Sequence, residues 1–268
     1  MNILFAIFLS MFVCSSIVAA QPVHICDDYA EFPPYVYWER INGNPDKSKL
    51  TGATTVLTKE IFGLIGMEYT LEMLPWKRCI FEVDNFGENR KYEVFTNGSY
   101  SEERAEKFYV TAPIYKTHEG LWYSKNKFPK GPSIGKATDF NKFELCGVFG
   151  NNYEWLTGTG VTRKVMTVTK NMGSALKMLS AGRCDFYIGG LENIYGGEKV
   201  GQYAIPENIV GIPFPLVDRK PTFHFFIAKS SPRAYELLTK INQAILLLQY
   251  RGISEKIYRK YLPGGDGL

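Results

Sequence analysis

The stretch Thr96-Asn97-Gly98-Ser99-Tyr100-Ser101-Glu102-Glu103-Arg104 gathers the groups that hold a small anion. A short strand signature, Tyr92-Glu93-Val94-Phe95, runs into small and hydroxylated residues. A helix start follows, with an arginine one turn in. This order aims backbone N–H groups, hydroxyls and a guanidinium at one point, which suits a carboxylate. Thr96, Asn97, Ser99 and Arg104 are therefore candidate ligand-facing residues. The competing reading pairs Arg104 with Glu102, Glu103 or Glu106 on a helix surface, an arrangement that contributes little. The strand exit and the hydroxyls beside Arg104 favour the ligand role. No Ser-His-Asp order, metal-ligand cluster or phosphate loop is present, and the three histidines, His24, His118 and His224, have no clear nucleophile beside them. No catalytic residue, metal or cofactor is expected.

The elements that must position these residues alternate. Val23 to Cys26 reads as a strand ending at Asp27-Asp28, and a loop rich in aromatics and proline follows, centred on Phe32-Pro33-Pro34-Tyr35. Thr51-Gly52 reads as a turn. Val56, Leu57, Ile61, Phe62, Leu64 and Ile65 then recur at helical spacing, with Gly66 as a stop. Tyr69 to Leu74 alternates like a strand, and Pro75-Trp76-Lys77-Arg78 opens a helix. Phe32 and Trp76 both adjoin proline where the chain leaves a sheet, which makes them candidates for a cleft wall. Strand, helix, strand, helix, strand is the pattern of a largely parallel sheet. It begins again at Leu145 to Gly150, followed by a helix start at Asn151-Asn152-Tyr153-Glu154, a strand over Val165 to Val168, a helix over Met172 to Leu179 and a strand over Cys184 to Gly190. Two α/β units imply two lobes. The final elements, a strand at His224 to Ala228 and helices over Tyr235 to Leu248 and Ser254 to Tyr261, are too few for a third. They are expected to return to the first lobe. The chain would then cross between lobes near Ile114 to His118 and Leu216 to Thr222, forming a hinge. The expected division is 21–116 with 221–268 for one lobe and 117–220 for the other. Ligands of open parallel sheets sit at the C-terminal strand ends.

Met1 to Ala20 carries no charged side chain, has an apolar core and ends in Val18-Ala19-Ala20, so a signal peptide cleaved before Gln21 is expected. The formal net charge of +4 is mild and spread along the chain, which argues against a nucleic-acid binder. Aromatic residues make up 15% of the chain, a surplus that fits a ligand cleft as well as a core. Of the five cysteines, Cys14 leaves with the signal. Cys26, Cys79, Cys146 and Cys184 remain, and an even number in an exported chain reads as two disulfides with three connectivities open.

At this point the sequence resembles the family-3 periplasmic solute-binding proteins, the type II amino-acid-binding group of ABC importers. The blocks agree in order: Phe32 to Tyr35, Leu50-Thr51-Gly52, Ser99 to Lys107, Ala112 to Tyr115, Cys146 to Asn152, Ala175 to Asp185, and Arg251-Gly252-Ile253 to Tyr261-Leu262. The resemblance implies a periplasmic, monomeric two-lobed α/β protein of the periplasmic-binding-protein type II fold, two parallel-rich sheets joined by a two-strand hinge. It implies Arg104 on the ligand's α-carboxylate, Thr96, Asn97 and Ser99 beside it, Asn151 and Asn152 on the second lobe, and Asp28 near the first-strand acidic position. One departure is specific. Amino-acid binders carry an acid at the end of the second-lobe strand for the ligand's amino group, and counting from Asp185 that position is Gly190. Glu192 follows two residues later and substitutes only if the turn differs. Cys146 and Cys184 begin two strands that should be neighbours in the second lobe, and Cys26 and Cys79 lie on and just after strands of the first. This placement points to Cys26–Cys79 and Cys146–Cys184, one bridge per lobe, leaving the hinge free.

The leading functional expectation is an extracytoplasmic binder that captures a small polar or anionic, amino-acid-like solute and presents it to a membrane importer. A sensory ligand-presenter working through a membrane sensor uses the same closed state. A dehydratase or lytic enzyme on the same scaffold would need a general acid in the cleft, for which Asp28 and Glu192 are the candidates.

Overall fold

The computed structural model describes residues 21–217 and 220–262; the expected signal peptide, residues 218–219 of the second crossing and the last six residues lie outside the described residues. The chain opens with β1 (Val23–Asp28), then a hairpin of β2 (Tyr37–Ile41) and β3 (Asn44–Thr51). Next come α1 (Ala53–Ile65), β4 (Tyr69–Leu74), α2 (Trp76–Asp84), the short α3 (Phe86–Asn89), β5 (Val94–Ser99), α4 (Glu102–Lys107), β6 (Phe108–Val110) and β7 (Tyr115–Lys116). A second group follows: β8 (Gly120–Ser124), β9 (Leu145–Val148), β10 (Met166–Thr169), α5 (Met172–Ser180), β11 (Phe186–Ile188), α6 (Leu191–Lys199) and β12 (Ile209–Pro213). The chain ends with β13 (Thr222–Ala228), α7 (Ala234–Tyr250) and α8 (Ile253–Tyr261).

Two main sheets result. The first runs β4-β1-β5-β13-β6, with β7 also paired to β13. Its β4, β1 and β5 are parallel, while β13 runs antiparallel to β5, β6 and β7. The second runs β10-β9-β11-β8-β12, parallel over β10, β9 and β11 and antiparallel at β8. This is the mixed α/β, two-sheet architecture expected of the type II fold. The chain passes from one sheet to the other after β7 and returns before β13, and Lys116 and Tyr115 pair with Thr222 and Phe223 where the two crossings begin.

Helix α1 shows why the first layer forms. Ala53, Thr54, Leu57, Thr58, Ile61 and Phe62 are its buried residues, three and four apart, and they form one apolar face. That face packs in one cluster with Leu237, Ile241, Ile245 and Leu248 of α7 and Tyr258 of α8. Gly52 precedes α1 at φ 115°, where a Cβ would lie 2.3 Å from the Tyr35 carbonyl oxygen, so no larger residue fits that corner. Gly66 closes the helix in the left-handed region and donates its N–H to Phe62. The other face of the first sheet buries Cys79, Val83, Phe95, Phe108 and Phe226, with the Phe95 and Phe226 rings stacked 4.6 Å apart. Separate clusters cover the two faces of the second sheet, one around Trp122 and Tyr187 and one around Phe140, Phe186 and Phe214.

Several elements depart from the sequence reading. The strand expected over Tyr92 to Phe95 is β5, which starts at Val94 and continues through Ser99, because β13 supplies hydrogen-bonding partners as far as Ser99. The helix start expected at Asn151 is an extended turn leading to a 3-10 helix over Glu154–Thr159. The β2–β3 hairpin and strands β8 and β12 have no counterpart in the sequence reading. The hairpin's charged strands hide it, although Asn42 and Gly43, at φ 50° and 79°, form the Asn-Gly turn that such hairpins favour. Strand β8 is buried along its whole length and so shows no alternation.

Cys26–Cys79 ties β1 to α2, and Cys146–Cys184 ties β9 to the entry of β11. Neither bridge joins the two sheets. Among the described residues, no helix is long and apolar enough to cross a membrane. The Cys26–Cys79 bridge spans a separation of 53 residues. Replacing both cysteines with alanine is expected to lower stability by ~4 kcal/mol, the loop-closure value for that length, as read from urea denaturation midpoints.

Candidate functional site

The parallel strands of both sheets end at one cleft. Strand β1 delivers Asp27 and Asp28, β5 delivers Asn97 and Ser99, and β11 delivers Ile188 and Gly189. Between them lies a cavity of about 90 Å³. That is room for roughly six to nine waters, or one small solute.

Arg104 reaches this cavity from α4. Ser101 caps that helix by accepting the Arg104 backbone N–H at 3.2 Å, which fixes the turn. The guanidinium Nη1 donates to the Ser99 carbonyl at 2.7 Å and to Ser99 Oγ at 3.0 Å, and its Cζ lies 5.6 Å from the Trp76 ring centroid. Burial pulls its pKa down to about 10, so it stays charged at neutral pH. Among the described residues it has no ion pair: Glu103 pairs with Lys107 at 2.9 Å instead. The remaining guanidinium N–H groups make no hydrogen bond among the described residues.

The cavity also brings together Ser99, Asn97, Asp28, Phe32, Trp76, Asn151 and Asn152. Thr96 stands apart: it is fully buried, does not line the cavity, and its hydroxyl has no partner. Because β5 continues through it, strand alternation turns its side chain away from its neighbours' cleft. Asn97 is a junction. At φ 55° it accepts from Thr54 Oγ1 at 2.8 Å and from the Tyr115 hydroxyl at 2.9 Å, and donates to Asp27 Oδ2 at 2.6 Å. Asn152 accepts the Glu154 N–H at 3.0 Å and donates to the Tyr100 carbonyl at 3.4 Å, across the cleft.

Among the lining residues that have no place in the sequence reading of the site are the polar groups of Asp27, Glu119, Tyr153, Tyr187 and Asn193. Asp27 adjoins Asp28 at the C-terminal end of β1, where both residues line the cavity. Burial raises Asp27 to about 8 against the pull of the N–H donors of Asp28 and Asn97, and raises Asp28 to about 6. The Tyr187 hydroxyl is buried without a partner at the cavity. Gly189 and Gly190 make room on this wall: a Cβ on Gly189 would lie 2.7 Å from Tyr187 Oη, and one on Gly190 would lie 2.7 Å from Asn193 Oδ1. Glu192 does not substitute for an acid at Gly190. Its carboxylate accepts the His118 N–H at 2.9 Å and faces His118 Nδ1 at 2.6 Å, and it does not line the cavity. Asp185 pairs with Lys127 and accepts the Glu144 N–H. Among the described residues, no cluster of His, Cys, Asp or Glu could hold a metal ion.

Contacts across the cleft hold the two sides together. Trp76 Nε1 donates to the Gly150 carbonyl at 3.3 Å, and Gln202 Nε2 donates to the Ala30 carbonyl at 2.8 Å. Gly196 of α6 packs against the Pro33-Pro34 turn.

The pattern of one family of exported proteins matches residues 27–264, nearly the whole chain beyond the expected signal. The chain belongs to the bacterial extracellular solute-binding proteins, family 3. The family is one of extracellular proteins. A comparison with the curated proteins finds no match. Solved structures with the same fold include the arginine-, lysine-, histidine-binding protein ArtJ of Geobacillus stearothermophilus, at 17% identity and TM-score 0.69, covering 92% of this chain and 97% of that one. Another is the amino acid ABC transporter substrate-binding protein AbpA of Streptococcus pneumoniae bound to L-arginine, at 17% identity and TM-score 0.69, covering 89% and 93%. A histidine kinase sensor domain with similarity to periplasmic binding proteins reaches TM-score 0.71 at 19% identity, covering 91% and 96%.

Two outcomes follow from the family-3 cleft geometry. A Cβ on Gly196 would lie 2.6 Å from Pro34 Cδ and 2.8 Å from Pro34 N, atoms of the opposite side. Gly196→Ala is therefore expected to weaken solute binding about tenfold by opposing closure, with the urea midpoint unchanged; calorimetric titration and denaturation separate the two. The raised carboxyl pKa values set a pH dependence. Folded Asp27 keeps its proton to about pH 8, while its ordinary value is 3.8. Between those values the folded state binds more protons than the unfolded chain, so this group's contribution makes stability fall as pH rises. Asp28 adds the same sign up to about pH 6. Scanning calorimetry from pH 5 to 8 is expected to show a flatter decline of Tm in Asp27→Asn than in the unaltered protein.

Proposed function

We propose that the chain captures a small, carboxylate-bearing, amino-acid-like solute between its two lobes, residues 21–116 with the C-terminal segment from 221 and residues 117–220, and presents the closed form to the permease of an ABC importer. The observation that carries this reading is Arg104: a charged guanidinium at the interlobe cavity, with hydrogen-bonding capacity to spare and no acidic partner among the described residues. A carboxylate there gains a forked, charge-assisted contact in a partly dry site. Ser99, Asn151 and Asn152 supply hydroxyl and amide groups around it, and Phe32 and Trp76 close the apolar walls. Amino-acid binding by the structural neighbours supports the solute class.

The second-side wall offers the neutral Tyr187 hydroxyl and Asn193 amide where amino-acid binders of the resembled group place an acid. An amino group on the solute would be met by Asp28 of the first side or by Glu119, near the crossing between the sheets. Presentation to a membrane sensor is a second reading, supported by the likeness to the histidine kinase sensor domain. An enzymatic role has less support. Glu192 is engaged outside the cavity, and Asp28 accepts the Ala30 N–H at 3.0 Å with no nucleophile placed beside it.

The test is a thermal-shift screen of the mature protein against amino acids and their deaminated and decarboxylated counterparts. A ligand of the folded state raises Tm. Carboxylate hits are expected to lose about 2–5 kcal/mol of binding in Arg104→Gln, as for loss of one partner in a desolvated charged pair. A hit unaffected by that substitution overturns the reading, and retention of the deaminated counterpart would show that no amine contact is used.

A further inference from the structure

Beside the Arg104 cavity lies a larger one of about 690 Å³, and the two share Asp28 and Trp76 as lining. Three lysines line the larger chamber. Lys77 comes from the first turn of α2, immediately after Trp76, and its Nζ lies 5.8 Å from the Phe149 ring centroid on the other side of the cleft. Lys170 lies two residues before α5 and Lys177 in its last turn, and with Ser174 of the first turn they line one side of the chamber. Tyr203 contributes an aromatic wall, and Gly173 leaves space for it, since a Cβ there would lie 3.1 Å from its ring. None of the three lysines has an ion pair among the described residues, and Asp28 is the only acid lining the chamber there.

Isolated exposed lysines are ordinarily solvated and need no partner. These three come from opposite sides of a closing cleft. Lys77 lines the chamber from the first-sheet side and Lys170 and Lys177 from the second, and like charges sharing a partly enclosed space repel one another. An anion between them reverses the sign of that interaction, so its binding and closure favour each other.

We infer that this chamber receives a second anionic group, carried on the same solute at the end remote from the carboxylate that Arg104 holds. The inference rests on the carboxylate-capture reading of Arg104. It narrows the solute class to elongated molecules with an acid at each end, the connecting segment passing between Asp28 and Trp76. The aromatic rings of Tyr29, Phe149 and Tyr203 suit an apolar linker beside the terminal acid.

The test is calorimetric titration of the full mature chain with 2-aminoalkanedioic acids of increasing length, their deaminated counterparts, and the ω-amide of each. Above a threshold length the diacid is expected to bind about tenfold more tightly than its ω-amide, and the ratio should shrink as salt is raised. The combined Lys170→Gln and Lys177→Gln variant should bring the ratio back toward one, with unchanged circular dichroism confirming the fold. Equal affinity for diacid and amide at every length, with both weakened by Arg104→Gln, would overturn the second chamber and leave carboxylate capture standing. Binding indifferent to Arg104→Gln, or none by any of these probes, would overturn carboxylate capture, and the second chamber with it.

Discussion

The site depends on one buried hydrogen-bonded junction. Asn97 sits in β5 with a positive φ, and its amide ties Asp27 of β1, Thr54 of α1 and Tyr115 of β7 together. Asparagine tolerates that backbone conformation better than a bulky or branched residue would, and its amide can give and accept at once. The register between β5 and β13 shifts between His224 and Phe226, opposite this part of β5. The shift lets β5 continue to Ser99, whose carbonyl and hydroxyl then hold Arg104. A carboxylate buried at Asp27 would be costly alone. Here burial keeps the group protonated to about pH 8 while it accepts two N–H donors, and the polarity concentrated at the strand ends becomes an ordered ligand wall.

The cleft is built from unlike halves. The first-sheet side carries the Arg104 guanidinium and the Asp28 carboxyl in one wall, with Asp27 beside them holding its proton to about pH 8. The second-sheet side contributes amides, tyrosine hydroxyls and two adjacent glycines. The glycines Gly189 and Gly190 remove side chains where the neighbouring Tyr187 and Asn193 need space. Recognition is thus divided between the Arg104 guanidinium on one side and mostly neutral, directional groups, with Glu119 among them, on the other. The contacts of Trp76 with Gly150 and of Gln202 with Ala30 complete the enclosure between them.

Much of this was legible from residue order. The two α/β units, the return of the last strand to the first sheet and the strand ends beside Ser99, Arg104 and Trp76 follow from local periodicity and from the rule that parallel strands end at the ligand edge. The cysteine pairs follow from which strands carry them, and Asn151 enters through the family resemblance. The misses share a cause. Thr96 was assigned by proximity in sequence, but a strand sends neighbours to opposite faces, and the end of β5 is set by β13, more than a hundred residues later. Tyr187, Asn193 and Glu119 enter the site through sheet packing and the crossing between sheets, for which a single sequence carries no local signal. Strand β8 was hidden because burial on both faces removes alternation. The hairpin β2–β3 did leave a mark, the Asn42-Gly43 turn, beneath a charged composition.

The first sheet also carries an implication for the order in which the protein is assembled. Strand β13 lies between β5 and β6, and Arg233, just beyond it, donates to the carbonyls of Gln21 and Pro22 while its guanidinium is paired with Glu93. The second sheet, by contrast, is drawn from one unbroken stretch between Gly120 and Pro213. A chain emerging from its amino end can complete that second sheet while the first still lacks a central strand. The anchoring of residues 21 and 22, next to the expected cleavage point, must wait for a residue more than two hundred positions away, so the earliest part of the mature chain is among the last to be fixed in place.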